Sequence, residues 1–180
     1  MPSQTHHQTE AIVYHPIGII RSEHTVPENT PIQPVYAAGC RAVAEIFPEY
    51  AKGLDNLEGF SHIYLIYHFH RAEPARLTVT PFLTDESMGV FATRINCRPN
   101  AIGFSIVRLI ERRDHTLLLE DVDILDQTPL LDIKPYVARF DRIDATRGGW
   151  QDKVDEKNAQ QRGQRNFQPN SGKRDRDQAK

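Results

Sequence analysis

The chain has 180 residues, is 39% apolar and carries a net charge of −2. That size and balance suit one domain with one core, and charge alone does not announce a nucleic-acid-binding protein. Two cysteines, Cys40 and Cys97, exclude a disulfide framework; no signal-peptide pattern or apolar run of membrane-spanning length is present, so the expectation is a soluble cytoplasmic protein with no membrane partner.

Residues 1–10 read as a polar leader. Ala11–Ser22 reads as a strand interrupted near Pro16, and Glu23–Gln33 as a loop dense in Pro, Thr and Asn. Arg41–Phe47 is strand-like. Pro48–Glu58 is predicted as the one short helix: Pro48 can start it, Tyr50, Leu54 and Leu57 recur at helical spacing, and Gly59 stops it, although Gly53 lies inside. Ser61–Arg71 alternates as a strand, with Ile63, Leu65, Tyr67 and Phe69 on one face. Arg76–Phe82 and Gly89–Thr93 are two more short strands. Ile102–Glu111 and Thr116–Leu125 form the clearest pair, joined by a turn at residues 112–115, and Leu130–Lys134 is the last strand. Seven or eight short strands with turn-rich connections make an all-β barrel or sandwich. No βαβ alternation and no GxGxxG supports a doubly wound nucleotide fold. Residues 151–180 hold eight Lys/Arg and five Asp/Glu with almost no apolar residues beyond Val154 and Phe167. Such a segment cannot bury enough surface to offset its ordering entropy, and a disordered basic tail is expected there.

Four segments carry candidate chemistry. Thr30–Pro34 is a stiff loop: a structural turn, or a ledge whose backbone groups and Gln33 amide bind a ligand. His68 and His70 share a strand face, which could serve a metal, but no CxxC or HExxH completes a site, and the non-metal reading is preferred. Arg94 and Arg98 flank a tight Arg-Pro-Asn turn. They are either plain surface charges or forks for an anionic or carboxylate-bearing ligand. Asp126 ends an acidic loop that is either a solvated turn or an acceptor for ribose hydroxyls or a cationic ligand, while Asp132 and Lys134 read as a surface pair.

Taken in order, Thr30–Pro34, Glu58–Leu65, Gly89–Ser105 and Asp126–Tyr136 resemble the TsaA/TrmO family over residues 15–140. The resemblance implies a single antiparallel β-barrel over about residues 11–140. It also implies an S-adenosylmethionine-dependent methyltransferase that acts on N6 of threonylcarbamoyl-adenosine next to the tRNA anticodon, working as a homodimer. Carried over by position, the cofactor contacts fall on Pro31, Ile32, Gln33, His70, Arg71, Arg94, Phe104, Leu125, Asp126, Gln127 and Thr128. Arginine suits the cofactor's carboxylate, aspartate its hydroxyls or cationic groups, and backbone edges near Ile32 and Phe104 its adenine. No nucleophile is required; His70 and Asp126 are candidates for orienting groups or a general base. The alternatives are a small-molecule methyltransferase and a non-catalytic barrel that binds S-adenosylmethionine or RNA.

The chain departs from the family pattern at Ala101, Phe104 and Gln127. Gln127 replaces the glycine of Asp-Gly-Thr-Pro and lacks its backbone freedom, which calls for a different loop conformation. Longer members also carry a C-terminal domain where this chain has its polar tail. RNA is expected to reach the site past Arg71, Arg94 and Arg98, with Arg162, Arg165, Lys173, Arg174 and Arg176 of the tail either adding to binding or only solubilising the end. If the tail binds RNA, its deletion should weaken tRNA binding, flatten the salt dependence and leave cofactor affinity unchanged.

Overall fold

The computed structural model describes residues 11–167; the polar leader and tail residues 168–180, with Lys173, Arg174 and Arg176, lie outside the described residues. Eight strands form: β1 (Gly18–Ser22), β2 (Arg41–Ile46), β3 (His62–His68), β4 (Thr78–Val79), β5 (Met88–Gly89), β6 (Ile102–Arg113), β7 (Thr116–Glu120) and β8 (Thr128–Pro135). Six of them close an antiparallel barrel in the order β1-β2-β7-β6-β3-β8, with β8 returning to β1. The strands β4 and β5 make a separate two-stranded ribbon.

Alternation explains the barrel. Along β6, Gly103, Ser105, Val107 and Leu109 are buried while Ile102, Phe104, Ile106 and Arg108 face outward. In β3 the inward set is Ile63, Leu65 and Tyr67, as the sequence predicts. These residues meet Ile20, Ala44, Ile46, Leu117, Leu119 and Leu130 in one core. Each fully buried aliphatic side chain of this kind contributes about 1.5–3 kcal/mol. The ribbon has its own small cluster of Val79, Val90 and Cys97. Both cysteines are buried and unpaired with each other.

Several predicted elements change. Strand pairing starts only at Gly18, and Ile12, Val13 and Tyr14 stay exposed. The segment 48–59 is not an α-helix but two 3₁₀ turns, Pro48–Leu54 and Leu57–Gly59. Asn56 sits between them at φ 67, a left-handed conformation that no helix can run through. Leu54 and Leu57 still reach the core, whereas Tyr50 remains exposed. The expected strand at 89–93 is a short 3₁₀ turn at Val90–Ala92. The expected strand at 116–125 stops at Glu120, because Asp121 turns at φ 62 and its carboxylate accepts from the Gly39 N–H at 2.8 Å.

The C-terminal segment is ordered further than composition suggests. A four-residue α1 (Ala138–Asp141) is followed by a 3₁₀ turn at Gly149–Lys153 and by α2 (Glu156–Gln164), whose N-cap Asp155 accepts from the Asn158 N–H at 2.9 Å. This segment returns to the loop after β1. The Ile32 N–H donates to the Gly163 carbonyl at 3.0 Å. Gly163 lies flat on Tyr36, where a Cβ would come within 2.6 Å of the ring. Arg162 pairs with Asp85, and Phe167 meets His24 edge-on. No helix among the described residues is long and apolar enough to cross a membrane.

Candidate functional site

One end of the barrel gathers the end of β3, the start of β6, the loop after β1 and the loop before β8. Between them lies a cavity of about 880 Å³, within the size range of small-molecule sites. Of the eleven residues expected to hold the cofactor, all but Asp126 and Gln127 line it. Residues as far apart in the chain as Pro31 and Thr128 therefore line one cavity.

Arg94 is held in place before any ligand arrives. Its Nη1 donates to Gln33 Oε1 at 2.6 Å, and its guanidinium lies 4.9 Å from the Phe104 ring centre. Phe104, the departure from the family pattern, is thus a platform for a cation. Arg98 does a different job: its Nη1 donates to the Thr93 carbonyl at 2.9 Å and the Ile95 carbonyl at 3.3 Å, so it shapes the loop that carries Arg94. The Gln33 amide is engaged at both ends, because its Nε2 donates to the Ile32 carbonyl at 2.6 Å. The ledge at Thr30–Pro34 therefore builds the wall through its own hydrogen bonds, and its Ile32 N–H is already taken by Gly163.

His70 offers an acceptor. Thr128 Oγ1 donates its proton to the Leu125 carbonyl at 2.7 Å, so in the 3.3 Å contact with His70 the ring Nδ1 must be the donor. Burial, helped by the nearby Arg71 and His68 charges, holds this imidazole below the ordinary histidine range. A neutral ring protonated on Nδ1 leaves a lone pair on Nε2, which is buried without a partner. A buried acceptor of this kind fits a ligand hydroxyl or ammonium. The described residues contain no group of three His, Cys, Asp or Glu side chains placed to hold a metal.

Asp126 is placed differently from the sequence reading. Its Oδ1 accepts from the Ser22 N–H at 3.1 Å and ties the loop to β1, while its Oδ2 accepts from Gln127 Nε2 at 3.1 Å within the loop itself. Gln127 adopts φ 66. The loop keeps a left-handed turn in spite of the substitution, and the side-chain bond to Asp126 offsets part of a strain of roughly 1–2 kcal/mol.

Three residues that sequence reasoning did not select form the polar floor. Tyr67 Oη lies 3.1 Å from Ser105 Oγ, and Ser105 Oγ donates to Asp123 Oδ1 at 2.7 Å. Because the Ser105 proton is committed to Asp123, the Tyr67 hydroxyl is the donor to Ser105. Burial pushes the Asp123 carboxyl up to about 6, against the opposing pull of the Ser105 bond and the Arg94 charge. Burial also pushes the Tyr67 phenol well above its usual range. Tyr67 and Asp123 line the cavity. The signal available in the sequence was a hydroxyl at inward-facing positions of two strands otherwise filled by apolar residues or glycine.

The C-terminal segment supplies the remaining wall. Gly148, Gly149, Trp150, Gln151 and Arg165 line the cavity. Trp150 Nε1 donates to the Ala92 carbonyl at 2.8 Å. Arg165 donates to the Pro27 carbonyl and stacks on Phe82 at 4.6 Å. Arg162 and Arg165 are thus committed to contacts within the chain.

Comparison with known proteins agrees with this arrangement. Residues 19–142 match the family model of the tRNA-methyltransferase O N-terminal domain. A probable S-adenosyl-L-methionine-binding protein of Pyrococcus abyssi is 54% identical over 142 residues, covering 79% of this chain and 77% of that protein. The human tRNA (adenine(37)-N6)-methyltransferase is 33% identical over 141 residues, covering 74% of this chain but 32% of its own length. A crystal structure of TrmO superposes with a TM-score of 0.67 at 40% identity, covering 77% of this chain and 64% of that one. The chain spans less than two thirds of that structure and of several relatives, including 36% of an Archaeoglobus fulgidus protein. Nearly all of the barrel and most of the cavity lining fall within the matched residues, and the chain belongs to the tRNA-methyltransferase O family.

Proposed function

We propose that the chain is an S-adenosylmethionine-dependent methyltransferase of the cytoplasm that modifies N6 of the threonylcarbamoyl-adenosine beside the tRNA anticodon. The convergence of nine expected contact residues on one cavity carries this reading. The donor set fits the cofactor. Arg94 presents a fixed guanidinium for its carboxylate, His70 Nε2 a buried lone pair, and Ile32, Leu125 and Phe104 apolar surface for an adenine. When bound, S-adenosylmethionine supplies an electrophilic methyl on sulfonium. The residues of this chain hold the carboxylate, exclude water and fix the approach of the acceptor; orientation of two reactants can supply much of the rate. Exposed Arg71 and Arg94 at the cavity place positive charge where a phosphate backbone would arrive. The test is mass spectrometry of tRNA nucleosides from cells with and without this protein. The methylated threonylcarbamoyl-adenosine should vanish in the deletion; its persistence would refute the substrate.

The C-terminal wall changes one expectation. Deleting residues 148–180 should weaken S-adenosylmethionine binding by about tenfold, ~1.4 kcal/mol, because Trp150 and Arg165 leave the cavity. Calorimetry on the truncated barrel checks this, with its melting curve as the folding control. Affinity equal to the full chain would show that the wall does not touch the cofactor.

The same reading includes a homodimer. The outward residues Ile106 and Ile110 of β6, which do not line the cavity, are exposed by 36% and 42%, and exposed apolar side chains on a strand face suit a subunit contact. Sedimentation at micromolar concentration reads the state, and a monomer mass would remove this part of the proposal.

A further inference from the structure

The cavity has to do more than hold two reactants. In the reading above, the acceptor nitrogen carries one hydrogen and lies between a purine and a carbonyl. Its lone pair is delocalised, and methylation leaves a cationic nitrogen unless that proton departs. The proton needs a destination among the groups that line the cavity. Among the described residues that line it, Asp123 is the only carboxylate and His70 the only imidazole. Protonating His70 would add a charge beside Arg71 and His68, which already oppose it. Protonating Asp123 instead removes a charge that burial disfavours.

We propose that Asp123 is the catalytic residue that takes the proton from the acceptor nitrogen, with Ser105 and Tyr67 as positioning residues that hold its carboxylate. The inference rests on the methyltransferase reading. As the nitrogen lone pair forms the N–CH₃ bond, the electron pair of the S–CH₃ bond stays on sulfur. The N–H proton passes to a carboxylate oxygen of Asp123 and leaves to solvent once the products depart. A weak base suffices, because the N–H becomes strongly acidic as the new bond forms. The hydrogen bond from Ser105 at 2.7 Å, itself supported by Tyr67 at 3.1 Å, fixes one carboxylate oxygen so that the group cannot rotate away.

The titratable and charged groups that face Asp123 come from three other elements. These are Tyr67 of β3, Cys40 of the turn before β2, and Arg94 of the loop after the ribbon. The Cys40 thiol is pushed up to about 12 and the Tyr67 phenol higher, so neither titrates near neutrality. Arginine keeps its charge throughout. His70 is the other cavity group that titrates in the acid range, which makes a carboxyl-specific readout necessary.

The test uses the full chain. Asp123→Asn should lower kcat on tRNA bearing threonylcarbamoyl-adenosine by about 100-fold or more. Its calorimetric affinity for S-adenosylmethionine should stay within about threefold, and its melting point at pH 8 should be no lower than wild type. In wild-type protein loaded with S-adenosylhomocysteine, infrared titration should show one carboxyl protonating near pH 6, where burial places Asp123, and Asp123→Asn should lack it. Ser105→Ala should move that midpoint upward, because it deletes the bond that favours the ionised form. Retained kcat in Asp123→Asn would overturn the proposal. So would an absent carboxyl band, or a loss of cofactor affinity at constant kcat, which would make Asp123 a partner of the cofactor's ammonium. A wild-type protein inactive on this tRNA would refute the substrate reading instead. Asp123 is then judged by the infrared midpoint and the affinity alone.

Discussion

Arg94→Ala is expected to weaken S-adenosylmethionine binding by about 1.5–3 kcal/mol, roughly 10- to 150-fold. The side chain is fixed from two sides, by Gln33 Oε1 at 2.6 Å and by the Phe104 ring at 4.9 Å. A ligand carboxylate therefore meets a guanidinium that has little rotamer freedom left to lose. The substitution should leave the loop intact, because Arg98 holds the Thr93 and Ile95 carbonyls independently. Arg94→Lys should recover only part of the affinity, since a point charge cannot keep the bond to Gln33 while gripping a carboxylate with two donors. Calorimetry reads both variants. Wild-type affinity in Arg94→Ala would place the cofactor's carboxylate elsewhere.

Gly103→Ala should destabilise the protein by about 3 kcal/mol, the upper end of overpacking costs. A Cβ there would lie 2.6 Å from Tyr67 Cζ and 2.8 Å from Phe69 Cζ. Tyr67 is 5% exposed and bonded to Ser105, and the two rings already pack edge-to-face at 5.4 Å. The damage would also reach function, because Gly103 and Tyr67 line the cavity. Urea denaturation measures the effect; an unchanged midpoint would mean that the rings shift without cost.

The fold was legible where alternation was clean. Strands β2, β3 and β6 appear close to the predicted positions because each alternates between buried and more exposed residues, a period of two that sequence displays directly. The helix at 48–58 failed on one residue: helical spacing was present, but nothing in Asn56 announced a left-handed turn. Arg94 was legible through its neighbours in sequence, whereas the separate task of Arg98 depends on which carbonyls the loop turns toward it. Asp123 was hidden by its surroundings. In Asp121-Val122-Asp123-Ile124 the acids look like a solvated turn, and only closure of the barrel sets Asp123 against Ser105, 18 residues away. Composition predicts a disordered tail over residues 151–180, because almost none of them are apolar, but its described part, residues 151–167, is a folded segment. It is held instead by isolated contacts, such as Gly163 on Tyr36 and Arg165 on Phe82, that carry no periodicity.

The seam of the barrel has a kinetic consequence. Strand β1 begins at Gly18, yet one of its two neighbours is β8, which starts at Thr128. Of the six barrel strands, β1 leaves the ribosome first and must wait for the last, so its free edge stays open through most of synthesis. Bringing such distant ends together costs loop-closure entropy before any contact repays it, which places this chain among the slower-folding topologies. The cavity forms later still, because Trp150 and Arg165 complete its wall after the barrel has shut. A ligand held there at full affinity reports a chain translated to at least residue 165.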